Sequence, residues 1–122
     1  MPHYLKGIAS IRALPNRWPL RKKEYAMADP AITRVDDGET GAYYADVEGT
    51  DVKAELTWRA KGASRVADHT FTPPEARGQG IALKLVEALV ADARAEGFTI
   101  VPTCPYVVVQ FKKHPEWADV LA

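Results

Sequence analysis

The stretch that decides the fold is "FTPPEARGQGIALKLVEALV", residues 71–90, in which two glycines stand directly before a helical pattern. From Gly80 onward, apolar residues recur three and four positions apart, which predicts an amphipathic helix of about four turns. Glycine at the start of a helix weakens it locally. We therefore expect Gly78 and Gly80 to be there because another group must approach the backbone closely.

The glycine turn, residues 77–80, predicts an anion-binding site. The amide hydrogens of a first helical turn have no intrahelical acceptor, and they lie at the positive end of the helix dipole, which suits a phosphate. Arg77 adds a charged donor at the rim. The alternative is a plain connection between strand and helix that uses glycine for its backbone angles, and the spacing alone leaves both interpretations open.

Three known phosphate-binding sequence patterns can be compared with the glycine turn. Lys84 follows Leu83 rather than a glycine, so the P-loop pattern fails. Leu83 also occupies the third glycine position of a dinucleotide-binding turn. A third pattern, Arg or Gln-x-x-Gly-x-Gly or Ala, is met in full by Arg77, Gly80 and Ala82.

Strand patterns lie on both sides of the helix. Alternation and turn residues predict four antiparallel strands at 31–37, 41–49, 52–60 and 65–72. In the third of them, Leu56 and Trp58 fall on the buried face, and Glu55 falls on the solvent face. Residues 98–103 predict a fifth, buried strand.

The segment after the fifth strand is ambiguous. Three consecutive valines in residues 104–114 favour a strand, whereas Pro105 at a first helical position favours a helix. We predict a helix, followed by a last helical turn that carries Trp117 and Leu121 inward.

Composition indicates one globular domain. Hydrophobic residues make up 47% and charged residues 26% of 122 residues, and the formal net charge is zero, which argues against nucleic-acid binding by the whole chain. No apolar run approaches the roughly 18 residues that span a bilayer. Cys104 is the single cysteine, and the histidines lack metal-ligand spacing, so we expect no disulfide, no metal and a cytoplasmic setting.

Residues 1–27 differ from the rest, since six basic residues against Glu24 give this segment a charge of +5 and leave −5 for the remainder. It has no clean hydrophobic period and contains three prolines. We predict a flexible basic appendage at 1–27 and a single domain at 28–122. A docking or nucleic-acid arm and a transit-type segment are the alternatives.

Two stretches resemble the GNAT superfamily of N-acetyltransferases. "HTFTPPEARGQGIALKLVEALVADARAEG" is similar to its coenzyme-A-binding core, and "VPTCPYVVVQFKKHPEW" is similar to a minimal single-domain branch with a Cys after the fifth strand. The resemblance covers about residues 31–121. It implies an α+β fold with a mixed, mostly antiparallel five-stranded sheet, a long helix after strand four and a C-terminal helix.

The resemblance also implies where acetyl-CoA binds. The pantetheine arm would lie where the fourth and fifth strands splay apart, bonded to an open strand edge. The pyrophosphate would sit on the amides of the glycine turn, with Arg77 adding charge. The residues implied in binding are Arg77, Gly78, Gln79, Gly80, Ile81 and Ala82.

Cys104 and His69 are the candidate catalytic residues. Cys104 would accept the acetyl group or protonate the departing coenzyme A, and His69 would act as a base; a buried structural cysteine and a structural histidine are the alternatives. Relatives in the branch commonly have an acidic residue after His-Thr, where this chain has Phe71, and a serine after the Cys, where it has Pro105. Tyr106 is a further possible proton donor, or a packing residue.

The sequence therefore predicts an acetyl-CoA-dependent N-acetyltransferase acting on a small-molecule or protein amine, with no nucleic-acid or membrane partner. A non-catalytic acyl-CoA-binding module is the main alternative, and a scaffold whose basic arm contacts an acidic partner is a weaker one.

Overall fold

A computed structural model describes residues 21–25 and 31–122. One mixed sheet runs through this part of the chain, with its strands in sequential order. The strands are β1 Arg21–Tyr25, β2 Ile32–Asp36, β3 Thr40–Ala45, β4 Ala54–Lys61, β5 Ser64–Phe71 and β6 Thr99–Pro102. All neighbours are antiparallel except β5 and β6, which are parallel. The mixed, mostly antiparallel sheet is thereby confirmed.

The described sheet has six strands, so the prediction of five is wrong. The additional strand is β1, which lies inside the segment assigned to the basic appendage and pairs Arg21 with Asp36. The Nε atom of Arg21 donates to the Asp36 carboxylate at 3.0 Å. The sequence "RKKEY" has no alternation of apolar residues, so hydrophobic periodicity could not reveal this edge strand. Backbone pairing with β2 and the ion pair with Asp36 hold the strand in place. Residues 1–20 and 26–27, the rest of that prediction, lie outside the described residues.

The helices follow the predicted order. Helix α1 spans Ile81–Glu96 and helix α2 spans Pro105–Lys113, which confirms the helical interpretation of the ambiguous segment. Short 3₁₀ helices span Pro74–Ala76 and Pro115–Val120.

The last 3₁₀ helix corrects one detail of the sequence prediction. Trp117 is buried as expected, but Leu121 is 43% exposed, and Val120 is buried instead. A 3₁₀ helix has three residues per turn, so the residue three positions after Trp117 faces inward with it.

The core lies between one face of the sheet and the helices. Leu56 and Trp58 of β4 are buried there with Leu85 of α1 and Val107 of α2. These four side chains belong to one continuous cluster, so both helices cover the same sheet face. Burial of this cluster is the main stabilising contribution in a chain of this size.

A buried charged network fixes α1 against the sheet. Asp92 of α1 is 1% exposed, and its carboxylate accepts from Nη1 of Arg34 at 2.9 Å and from the hydroxyl of Tyr43 at 2.7 Å. Nη1 of Arg34 also donates to Glu96 at 2.7 Å. Burial by itself would lower the pKa of Arg34, but hydrogen bonds with Glu96 and Tyr43 outweigh it and raise that pKa above the ordinary arginine value. Arg34 therefore stays charged and joins β2 to the buried side of α1.

We expect Asp92→Ala to lower the free energy of unfolding by about 1–3 kcal/mol, because it removes a buried acceptor from Arg34 and from the Tyr43 hydroxyl, while Glu96 still pairs with Arg34. Urea unfolding measures the change. The matched control is Asp119→Ala, which removes the exposed ion pair between Asp119 and Arg94. A much smaller loss is expected there, and equal losses in the two variants would contradict the role assigned to Asp92.

Candidate active site

Strands β5 and β6 separate after four paired residues. The parallel ladder runs from Ser64 opposite Thr99 to Ala67 opposite Pro102. β5 continues to Phe71, whereas the chain after Pro102 turns into α2. Beyond Ala67, the edge of β5 that faces β6 has no strand partner within residues 21–25 and 31–122. An open strand edge therefore faces the start of α2.

The Ala67 carbonyl oxygen sits at the point of separation. It accepts from the amides of Thr103 and Cys104, each at 3.1 Å, and from the Thr103 hydroxyl at 3.2 Å. On the other side of β5, the register shifts so that Trp58 opposes Ala67 and Thr57 opposes His69. Asp68 is the extra residue of this β-bulge, and a bulge bends its strand. The bulge in β5 and the three hydrogen bonds that the Ala67 carbonyl oxygen accepts together direct the two strands apart.

The glycine turn forms the opposite wall of this gap. Gly78 and Gly80 have φ angles of 83° and 74°, a region that favours glycine. A β-carbon built at either position would meet no protein atom within 4 Å. The backbone in front of α1 thus faces open space, as a site for a closely approaching ligand requires.

A groove of about 310 Å³ lies over this turn. Arg77, Gly78, Gly80 and Ile81 line it with Thr72, directly after β5, and Tyr106, at the start of α2. The groove therefore extends from the glycine turn to the residues that follow β5 and begin α2. Its size matches the lower range of ligand-binding clefts.

Polar side chains of the turn bond back to the backbone. Nε of Arg77 donates to the Thr72 carbonyl at 3.3 Å, and the side-chain amide of Gln79 donates to the Glu75 carbonyl at 3.2 Å. Both side chains are exposed. Arg77 stands at the rim of the groove, as the sequence predicts.

Tyr106 contributes a hydroxyl to the groove. Its side chain packs partly against the core and lines the groove beside the glycine turn. Burial, with a smaller effect of the Glu87 charge, raises its pKa above the ordinary tyrosine value of 10.0. The phenol is therefore protonated at neutral pH and able to donate a hydrogen bond.

Cys104 lies at the beginning of α2 and is 8% exposed. Its Sγ atom is 3.4 Å from the hydroxyl of Thr70 on β5. Thr70 opposes Leu56, so this contact lies on the helix-covered face of the sheet. The thiol thus borders the open edge of β5, and it also belongs to the core cluster.

His69 lies on the opposite face of β5 from Thr70, because successive residues of a strand point to opposite faces. Its Nε2 atom is 3.4 Å from Oε2 of Glu55, and its side chain is 33% exposed. The prediction that Glu55 faces solvent is wrong, since Glu55 is 1% exposed. Alternation placed Glu55 on the correct face but could not show that this face is buried at that position.

The two predicted catalytic residues therefore have different contacts, Cys104 with Thr70 and His69 with Glu55. They flank the same short segment of β5 from its two faces. Among the described residues, no group of three or more His, Cys, Asp or Glu side chains is arranged to hold a metal ion. No helix in residues 31–122 is both long and apolar enough to cross a bilayer.

Comparison with known proteins identifies the class. The model of the GCN5-related N-acetyl-transferase family matches residues 42–120. The chain therefore belongs to the GCN5-related N-acetyltransferases, and the glycine turn, the diverging strands and Cys104 all lie within the matched region.

Two solved structures are similar to this chain. A solution structure of a GCN5-like candidate N-acetyltransferase from Staphylococcus aureus is 28% identical in sequence, with a TM-score of 0.56, over 66% of this chain and 80% of that chain. The crystal structure of nourseothricin acetyltransferase is 19% identical, with a TM-score of 0.47, over 68% of this chain and 58% of that chain.

Proposed function

We propose that the protein is an acetyl-CoA-dependent N-acetyltransferase that transfers an acetyl group to an amine. One observation carries the proposal: the groove over the glycine turn reaches Thr72, directly after the open edge of β5, and Tyr106 in the first turn of α2. The anion site suits the diphosphate of coenzyme A, and the strand edge suits its pantetheine arm.

The diphosphate binds at the beginning of α1. Gly78, Gly80, Ile81 and Ala82 line the groove, and the helix dipole favours negative charge at the first turn. Gly78 and Gly80 keep the approach open, because no β-carbon intervenes. Arg77, exposed at the rim, supplies the positive charge. The amide of Gln79 donates to the Ala76 carbonyl at 3.2 Å, so Gln79 supports the turn and the diphosphate takes the amides on either side of it.

The pantetheine arm lies along β5. Its amides bond to the strand edge beyond Ala67, in the way that an added strand would. The thioester at the end of this arm then lies near Thr70 and Cys104, which are in contact with each other.

The reaction joins the amine nitrogen to the thioester carbonyl carbon. A carbon–nitrogen bond forms, the carbon–sulfur bond breaks, the amine loses a proton and the thiolate of coenzyme A gains one. Alkyl amines are protonated at neutral pH, so a base must first remove a proton. His69, partly exposed on the face of β5 opposite Cys104, is the base.

The departing thiolate needs a proton donor. Tyr106 lines the groove, and its phenol remains protonated at neutral pH, since burial raises its pKa further above the ordinary value. The thiol of Cys104 lies nearer the open edge of β5. Cys104 serves either as this donor or as a transient acetyl acceptor, and the second route requires loss of its own proton first.

One observation favours a second function, a non-catalytic acyl-CoA-binding module. Cys104 is 8% exposed and belongs to the core cluster, as a structural cysteine would. Phe71 also stands where the resemblance implies an acidic residue. A module of this kind would hold acetyl-CoA and release no thiol when amines are added.

We expect Gly80→Ala to abolish the thermal stabilisation by coenzyme A. For the wild type, coenzyme A at 100 times its dissociation constant adds about 2.7 kcal/mol to stability, and a differential scanning experiment detects the shift. Gly62→Ala is the matched control, because Gly62 also has a positive φ, of 59°, and open space, but lies in the turn between β4 and β5. Each variant loses about 1 kcal/mol to backbone strain. Only Gly80→Ala loses the ligand response, and a normal response would contradict the diphosphate site.

We expect Cys104→Ala to reduce kcat/KM for amine acetylation by on the order of 10²-fold, with the coenzyme A response retained. Thiol release with a panel of amines measures the rate. Mass spectrometry of the wild type after incubation with acetyl-CoA alone distinguishes the two roles, since an acetyl adduct on Cys104 appears only on the covalent route. Normal turnover by Cys104→Ala would remove the thiol from the mechanism, and an absence of turnover in the wild type would favour the binding module.

A further inference from the structure

We infer that Glu55 is a positioning residue that orients the imidazole of His69 toward the acceptor amine. This inference rests on the proposed acetyl transfer and adds to it the group through which the base acts. Two strands carry the pair, since Glu55 lies on β4 and His69 on the neighbouring β5.

The burial of Glu55 needs an explanation. A carboxylate that is 1% exposed loses nearly all its contact with water, which is unfavourable unless a partner compensates. His69 supplies a contact of 3.4 Å from Nε2 to Oε2. A partly exposed imidazole held by a buried carboxylate has one end fixed by the protein and the other end turned toward the surface.

This arrangement determines which nitrogen reacts. Nε2 lies against Oε2 of Glu55, so Nδ1 is the nitrogen that meets the acceptor amine. The carboxylate also stabilises the imidazolium that forms after proton uptake. The amine proton therefore moves to Nδ1, and the neutral amine attacks the thioester.

The position of His69 fits this role. It lies two residues beyond Ala67, where β5 leaves β6, and on the opposite face from Thr70 and Cys104. The imidazole and the thiol thus lie on the two faces of the β5 segment whose edge toward β6 is open. An amine that binds on the His69 side meets a thioester held at that edge.

Other charged and titratable groups lie near the pair. Asp68 accepts from the Thr57 hydroxyl at 2.6 Å and lies 3.8 Å from Nε of Arg59. Tyr44 of β3 is the direct cross-strand neighbour of Glu55. Since Asp68 is engaged with Thr57 and Arg59, the carboxylate that faces Nε2 of His69 is that of Glu55.

The strand register offers a way to move the carboxylate. Glu55 lies directly opposite Phe71, so the two side chains share one face of the sheet. An acidic side chain at position 71 would therefore stand beside the site that Glu55 occupies. The double variant with Glu55→Gln and Phe71→Glu therefore moves the carboxylate from β4 to β5 but keeps it on the same face of the sheet.

We expect Glu55→Gln in the full chain to lower kcat/KM for the amine by on the order of 10²-fold. The acidic limb of the pH–rate profile moves to lower pH, because loss of a neighbouring negative charge makes the imidazole less basic. The thermal response to coenzyme A stays unchanged. NMR titration of the His69 imidazole shows the same downward shift without any turnover, and Phe71→Glu in the Glu55→Gln background restores part of the rate.

Asp68→Asn is the matched control. It removes the carboxylate of the residue that precedes His69, which contacts Thr57 and Arg59 rather than Nε2 of His69. Its pH–rate limb moves far less than that of Glu55→Gln. An equal shift in both variants, or an unchanged limb and titration in Glu55→Gln, overturns this inference and leaves acetyl transfer standing. Absence of thiol release in the wild type overturns the proposed function and this inference together.

Discussion

The separation of β5 from β6 at the Ala67 carbonyl is the constraint on which the site depends. Two parallel strands would normally continue to pair, and a continued ladder would close the gap. Here the Ala67 oxygen accepts both Thr103 and Cys104 amides, so the chain after Pro102 turns away. The bulge at Asp68 bends β5 in the same place. Backbone hydrogen bonds, rather than particular catalytic side chains, thus create the open edge.

The remaining elements position groups around that edge. Arg34 and Asp92 hold α1 against the sheet, which sets the place of its first turn and of the glycines before it. The start of α2 brings Cys104 to Thr70 on one face of β5, and β4 brings Glu55 to His69 on the other. A small domain in this way places a glycine turn, an open strand edge, a thiol and an imidazole around β5 and the beginning of α1. In the proposed acetyl transfer all four take part, whereas the alternative binding module would use only the first two.

Local patterns in the sequence were sufficient for the features that depend on local structure. The glycine turn, the helix after it and the helix that begins at Pro105 follow from periodicity, glycine conformation and proline geometry. The family resemblance supplied the parallel fifth strand and the diverging gap. Three other features depend on residues that are far apart in the sequence. Arg21 of β1 pairs with Asp36, 15 positions away, and Glu55 contacts His69, 14 positions away. Arg34 and Asp92 are 58 positions apart. No window of neighbouring residues contains that information, and a charged residue in an alternating strand gives the same pattern whether it is solvated or buried in an ion pair.

Amide NMR spectra recorded during a titration with coenzyme A test the central claim most directly, because they report the turn and the strand edge separately. We predict that the amides of Gly78, Gly80 and Ile81 shift together with those of Thr70 and Cys104 at one common dissociation constant. Gly62, in a turn outside the groove, should not respond. Shifts confined to other parts of the chain, or to the glycine turn without the edge of β5, would contradict a coenzyme A site that joins the two.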